Sequence, residues 1–298
     1  MVQGGFFMKI LLLFVFSFLA LTLQAEVKIC AHCGKGSRSM RYSAEGKHYC
    51  SMKCAKAKVS CFNCGQVPRG RYMICTGING ESRRFCDRCS QFKKCFSCSF
   101  PAESIKVFPD GRVQCTACSR KVFSFEETEK LVNQIRFDLK KMYGYDTQHR
   151  ITLRLVNKNA LRNITRSDDV MGCMKTLVNT ETKIRGLKKT ETKKWQCTLY
   201  LLDHLPPVAA AKVIAHELTH DHLYHQAGAG KDPKVTEGIC EAVSAKWLQS
   251  YGYHGYVKAM QKNPDPIYGA GFREMYPQLE RYGMRGIIER YRSMFTPF

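Results

Sequence analysis

Two histidines stand four residues apart with a glutamate directly after the first, in His216-Glu217-Leu218-Thr219-His220. On a helix, positions i and i+4 share a face, so both imidazoles can meet one metal ion while Glu217 leans beside it. Two nitrogen ligands, an adjacent carboxylate base and an open position for water are parts of a zinc hydrolase, which still requires a third protein ligand. A metzincin-like continuation of the same helix would need Gly and His where Leu223 and Gln226 stand. His222 and His225 turn away from the His216/His220 face and are expected at the surface. The segment Val235 to Trp247 reads as a following helix on which Glu237 and Glu241 lie four apart. Glu237 is the expected third ligand, and Glu241 the expected acidic partner that orients a ligand histidine. A solvated acidic helix face is the plainer alternative for this pair. Tyr268, in a Gly-rich turn with Arg273 nearby, is the candidate donor to a developing oxyanion. Cys240 reads as a core residue.

A second chemistry sits upstream. Twelve of the 16 cysteines fall in pairs: Cys30/Cys33, Cys50/Cys54, Cys61/Cys64, Cys86/Cys89, Cys95/Cys98 and Cys115/Cys118. Two such pairs on tight turns can place four thiolates around one zinc, so the six pairs predict three structural zinc sites in chain order. With the catalytic ion, the chain is expected to hold about four zincs. His32 and His48 are possible substitute ligands in the first site. A disulfide framework is the alternative, but the repeated knuckle spacing favours zinc. Cys173 and Cys197 are a further pair that an oxidising compartment could join.

The remaining elements must carry these residues. Ser124-Phe-Glu-Glu127 has a capping-box pattern and opens a helix running to Gly144. Arg150 to Val156 alternates as a half-buried strand, and Trp195 to Leu202 reads as a strand leading through Pro206-Pro207 into the His-Glu helix. That second strand is expected at the sheet edge beside the site, where an extended peptide could pair with it, or else as a core strand. Near the start, Met8-Lys9 precedes the apolar run Ile10 to Leu23 and then Gln24-Ala25, the pattern of a secretory signal peptide. The chain is therefore expected to be exported, to a periplasm or out of the cell, with no transmembrane span once the signal is removed.

Composition excludes some classes. With 44% hydrophobic residues and a single long apolar run, the chain is neither disordered nor a polytopic membrane protein. Its formal charge is +22, and residues 26 to 121 carry 19 basic against 6 acidic side chains. Three four-thiolate zinc sites would lower that module's charge of +13 to about +7, which weakens the case for nucleic acid as a partner.

Zinc knuckles, a His-Glu-x-x-His helix, Glu237-Gly-Ile-Cys240, then Pro266-Ile-Tyr-Gly-Ala-Gly-Phe272 and Tyr282-Gly-Met-Arg285, together resemble the plant LIM-domain peptidases that control organ size, the DA-one family. The resemblance runs from about Cys61 to the C-terminus. It implies a latent, ubiquitin-activated zinc peptidase of gluzincin type, with His216, His220 and Glu237 as zinc ligands and Glu217 as catalytic base. The expected relative is an exported one without a ubiquitin-interacting segment. The expected fold is α+β: a zinc-knuckle/LIM-like module, then a mainly helical gluzincin-type domain with a small sheet. Expected boundaries are a signal peptide over 1–25, a treble-clef-like finger over 26–59, tandem LIM-like fingers over 60–121 and a metallopeptidase domain over 122–298. Substrates are expected to be peptides or proteins. The fingers would recruit a protein partner or restrain the active site. The competing reading is a zinc-finger protein that docks on nucleic acid or an anionic surface beside an inert peptidase-like domain.

Overall fold

The computed structural model describes residues 27–37, 40–44, 46–145, 149–185 and 188–296, so the signal-peptide segment 1–25 lies outside the described residues. The chain divides into two compact units. One runs through Met73 and includes Arg84–Asp87; the other holds Ile74–Arg83 and Arg88–Phe298. Among the described residues no helix is long and apolar enough to cross a membrane.

The first unit is small and poor in aliphatic residues, so short hairpins and thiols hold it. Lys28–Ile29 pairs with Gly36–Ser37, and Tyr42–Ala44 with Lys47–Tyr49. The helix Met52–Val59 starts where the Ser51 hydroxyl accepts the Cys54 N–H at 3.1 Å. The sulfurs of Cys30, Cys33, Cys50 and Cys54 converge within 4.8 Å, with Tyr49 and Ala55 buried beside them.

The second unit is helix-rich with a small sheet. Its main elements are α1 (Phe125–Tyr143), β1 (Ile151–Val156), α2 (Lys158–Thr165), β2 (Gly172–Arg185), β3 (Lys188–Leu202), α3 (Pro207–Ala227), α4 (Pro233–Ser250), α5 (His254–Gln261) and α6 (Tyr268–Arg290). The expected capping box forms: the Ser124 hydroxyl accepts the Glu127 N–H, and Glu127 accepts the Ser124 N–H. Such a cap stabilises a helix by about 1 kcal/mol. Gly144 ends α1 with φ 69°, a left-handed turn that glycine adopts without strain.

The three strands lie in the order β2-β3-β1. β3 pairs antiparallel with β2 (Met174 opposite Leu199) and parallel with β1 (Leu199 opposite Leu153). This corrects the expectation for the stretch Trp195 to Leu202. It is the inner strand, hydrogen-bonded on both sides, because its inward residues Leu199 and Leu201 are fully buried. The edge belongs to β2. Cys173 lies opposite Tyr200 and Cys197 opposite Thr176, three register positions apart, so the strands do not bring these two cysteines together as a cross-strand pair.

The core joins Leu199 and Leu201 to Ile135 and Leu139 of α1, Ile214 and Leu218 of α3, Ile239 and Ala242 of α4, and Phe272 and Met275 of α6. Each aliphatic side chain of this kind contributes about 1.5–3 kcal/mol on burial. Consequently α3 is largely enclosed: Ala209 to Ala211, Ile214 to Thr219 and Asp221 to Leu223 are all buried. α4 and α6 cross closely because Gly238 meets Gly271 backbone to backbone.

The third cysteine group and its finger belong to this second unit. Arg112 is the link. Its guanidinium donates to Asp110 Oδ2 at 2.9 Å, to the Asp203 carbonyl at 2.8 Å and to the Asp203 carboxylate. Gln114 Nε2 donates to the His204 carbonyl at 2.9 Å, and the Phe108 ring packs on His204 at 4.6 Å. The finger thus grips the turn that feeds β3 into α3.

Candidate active site

His216 and His220 leave α3 on one face, one turn apart, with Nε2 atoms 3.2 Å from each other. Glu237 Oε2, from α4, lies 2.9 Å from His216 Nε2 and 3.3 Å from His220 Nε2. Donors bound to one tetrahedral zinc at 2.0–2.1 Å are separated by roughly 3.3–3.4 Å. The three atoms therefore stand at about the spacing that one zinc ion requires. The donor set, two imidazoles and a carboxylate, suits zinc as well.

Electrostatics point the same way. Burial opposes charge on His216, yet the Glu237 and Glu241 carboxylates outweigh it and push its pKa up to about 10. Burial raises Glu237, but His216 and His220 hold it well below the usual carboxylate range. Two ionised carboxylates facing an imidazole pair make a point that favours a cation. Glu241 Oε1 sits 3.1 Å from His216 Nδ1, approaching off the ring N–H axis, and Lys212 Nζ holds the same oxygen at 3.0 Å. Burial acts upward on Glu241 too, but Lys212 and His216 bring it down to about 2. The position matches the orienting role expected for Glu241. Cys240 Sγ also comes within 4.8 Å of both imidazole nitrogens. It is fully enclosed, and burial plus the surrounding carboxylates raise its thiol well above the ordinary range. Glu237 Oε2, at 2.9 and 3.3 Å from the two imidazole nitrogens, is the better placed third donor.

Glu217 is buried beside this group, and its Oε2 accepts the Met174 N–H of the β2 edge at 2.8 Å. Gly172 permits that approach, since a Cβ there would meet Val213 Cγ1 at 2.4 Å and Glu217 Cγ at 3.4 Å. Tyr268 is the first residue of α6 rather than part of a Gly-rich turn, its N–H donating to Asp265 Oδ1 at 2.7 Å. Its ring lies 6.2 Å from that of His216. Burial and the nearby carboxylates, Glu237 foremost, raise its hydroxyl above the usual range and so keep it a donor. Arg273 stays outside: it donates to the Gln261 and Asn263 carbonyls and ties down the loop before α6. A cleft of about 660 Å³ is lined by Gly172 to Thr176 of β2 together with His216, Glu217, His220, Glu237 and Tyr268.

Among the cysteines, Cys95, Cys98, Cys115 and Cys118 form a second converging group in the second unit. Of the middle pairs, the first unit holds Cys61, Cys64 and Cys86, with Cys64 Sγ 3.9 Å from Cys86 Sγ, and Cys89 belongs to the second unit. The groups are built for anionic sulfur. The Cys33 N–H, then those of Cys50 and His32, aim at Cys30 and lower it to about 6. In the same group, hydrogen bonds with Cys33, Cys54 and Cys30 hold Cys50 protonated, up to about 12, a proton that a divalent cation bound to the four sulfurs would displace. All 12 paired cysteines are free thiols in this structure.

Two expectations fail here. His222 is buried and His225 half-buried, not at the surface, because α3 is largely enclosed. Beyond the reach of spacing arguments, His149, Cys197, Asp221 and His225 also come together at the far end of α3. They arrive from three separate segments, and only the i, i+4 spacing of Asp221 and His225 signals them in the sequence.

Residues 127–262 match the family model described as DA1-like: Protein DA1. That span contains His216, Glu217, His220, Glu237 and Glu241, and stops short of Tyr268. "Protein DA1" of Arabidopsis thaliana is 22% identical over 235 residues, covering 60% of this chain and 44% of that protein. The chain thus spans less than half the length of this curated relative. No solved structure matches the chain. Residues 127–262, which carry the His-Glu-x-x-His helix and Glu237, are thus similar to a DA1-like domain.

Proposed function

We propose that this protein is an exported zinc peptidase that cleaves peptide bonds in the cleft between the β2 edge and α3. The observation that carries the reading is the convergence of His216 Nε2, His220 Nε2 and Glu237 Oε2 within 3.3 Å, with the Glu217 carboxylate beside them. His216, His220 and Glu237 would hold a zinc ion, which would supply Lewis acidity to the scissile carbonyl and acidify the attacking water. Glu217 takes the proton of the attacking water and returns it to the leaving amine. Tyr268 donates its hydroxyl hydrogen to the oxyanion. Glu241 and Lys212 fix the orientation of His216. The Met174 N–H, which already serves Glu217, marks the side of β2 along which an extended substrate backbone would lie. Export rests on the run Ile10 to Leu23 after Met8-Lys9. The remaining cysteine fingers are expected to recruit a protein partner or restrain the cleft.

The test is Glu217→Gln, with cleavage of a peptide library and zinc content measured on the same samples. Lost cleavage with zinc retained is the expected result. Cleavage at the wild-type rate would overturn the assignment.

A further inference from the structure

Beyond the catalytic set, α3 carries a second concentration of metal-ligating side chains. Asp221 and His225 lie one turn apart, and His149, from the segment before β1, and Cys197, from β3, close on them. We propose that His149, Cys197, Asp221 and His225 form a further zinc site in this unit, closed and structural, distinct from His216/His220/Glu237 and from Cys95/Cys98/Cys115/Cys118.

Geometry comes first. One donor atom from each residue falls within 4.8 Å of all the others. His149 Nε2 is 3.0 Å from Asp221 Oδ2, while His225 Nε2 and Cys197 Sγ are each 3.5 Å from Asp221 Oδ1. The two 3.5 Å spacings suit donors on one tetrahedral zinc, with Zn–N near 2.0–2.1 Å and Zn–S near 2.3 Å, while the 3.0 Å His149–Asp221 contact is also a good hydrogen bond. Indeed His225 Nε2 is buried without a hydrogen-bond partner, though it points into the cluster. Enclosure comes second. The Asp221 side chain is 0% exposed, His149 8% and His225 13%. Four ligands and no solvent-facing position describe a structural site, in contrast to the open cleft at Glu237.

Charge decides between a metal and a hydrogen-bond network. The His149 and His225 rings stack with centroids 4.4 Å apart and planes at 19°. Two protonated imidazoles would repel at that distance, whereas two neutral ones stack and offer their nitrogen lone pairs. Zinc with two neutral imidazoles, one thiolate and one carboxylate sums to zero, which is the cheapest charge state to enclose. Binding transfers the Cys197 thiol proton to solvent, and no other bond is made or broken. Outer contacts hold the ligands as in other zinc sites: the Tyr145 hydroxyl donates to Asp221 Oδ2 at 2.6 Å, and Arg136 donates to the His149 carbonyl at 2.8 Å. An N₂OS donor set selects zinc over magnesium or calcium.

The experiment is zinc counting by mass spectrometry on the full chain purified in zinc, for wild type, His149→Gln/His225→Gln and His216→Ala/His220→Ala. Each double variant is expected to hold one zinc fewer than wild type, and the two losses to add when combined. A His149→Gln/His225→Gln protein with the wild-type zinc content and an unchanged circular dichroism spectrum would overturn the proposal. Should that variant not fold, anomalous scattering at the zinc edge from crystals of the unaltered chain decides instead. A peak among the four residues supports the site. A peak at Cys95/Cys98/Cys115/Cys118 with none here refutes it. Neither readout depends on peptide cleavage.

Discussion

Gly238→Ala isolates the packing of α4 on α6, which places Glu237 and Tyr268 in the cleft. A Cβ built at Gly238 would lie 2.6 Å from the Gly271 carbonyl carbon and oxygen and 2.8 Å from its Cα. Carbon contacts settle at about 3.5–4.0 Å, so α4 and α6 would have to separate by roughly 1 Å. Backbone atoms cannot swing aside as a side-chain tip can. Overpacking of this kind costs about 1–3 kcal/mol, while Ala in place of a helical Gly gains about 1 kcal/mol. The net expectation is a loss of about 1 kcal/mol, or roughly 2–4 °C in melting temperature for a unit of this size. Gly70, with nothing within 4 Å of a built Cβ, is the control, and Gly70→Ala should stay within about 0.5 kcal/mol of wild type. The catalytic effect should exceed the thermal one. Glu237 immediately precedes Gly238, and Tyr268 stands three residues before Gly271, so one displacement moves the proposed ligand and the proposed oxyanion donor apart. A 1 Å misplacement is worth roughly 100-fold in rate. Thermal melts and peptide hydrolysis on both variants provide the readings. If Gly238→Ala is more stable than wild type by the ~1 kcal/mol of an unobstructed helical glycine, the close-approach reasoning is wrong.

Two further outcomes follow from the polar contacts. Glu241→Gln removes the charge facing His216 Nδ1 and should weaken zinc binding at this centre about 10- to 100-fold in chelator competition, with the fold intact; unchanged affinity would remove Glu241 from its orienting role. Arg112→Leu strands the buried Asp110 and the Asp203 carboxylate and should cost about 3–5 kcal/mol in urea unfolding. Burial acts upward on Asp110, but Arg112 and the Lys158 N–H bring it down to about 2. A depressed carboxylate stabilises the fold above its unfolded pKa near 3.9 and loses that contribution as pH falls through about 2. Wild type should therefore lose stability between about pH 4 and pH 2, and a pH titration of Arg112→Leu should lack that part of the decline.

The grouping of His216, His220, Glu237 and Glu241 is legible in the sequence because each part of it is local. The pairs His216/His220 and Glu237/Glu241 each rest on one helical turn, and the 3.6-residue period places both members on a face without knowledge of the rest of the fold. The cysteine knuckles are legible for the same reason. What escaped the sequence depends on long-range pairing. The run Trp195 to Leu202 has the same alternation whether it lies at an edge or between two partners, and only the parallel return of β1 decides. Arg112 and Asp203 are 91 positions apart, and nothing in either neighbourhood announces the other. Tyr268 reads as a turn residue because Gly269 and Gly271 look like turn punctuation, yet both are buried, Gly269 against Asn263 and Gly271 against Gly238 of α4. Their small size serves close approach, not chain reversal.

α3 poses a problem that its composition cannot solve. An amphipathic helix fixes its own rotation by turning its apolar stripe inward, but α3 buries polar as well as apolar residues around its circumference, so burial alone does not fix its rotation. A rotation of one residue, 100°, would carry His216 and His220 out of reach of Glu237. Directional contacts must set the angle, and they are spaced along the helix. At its start, Arg112 and Gln114 of the third finger hold the Asp203-His204 turn. In its middle, Glu217 takes the Met174 N–H and His216 faces Glu241. Near its end, Asp221 takes the Tyr145 hydroxyl and meets His149. A finger that grips the helix entrance is thus part of the device that aims the histidines. Removing residues before Val122 should accordingly loosen the catalytic helix rather than simply uncover it.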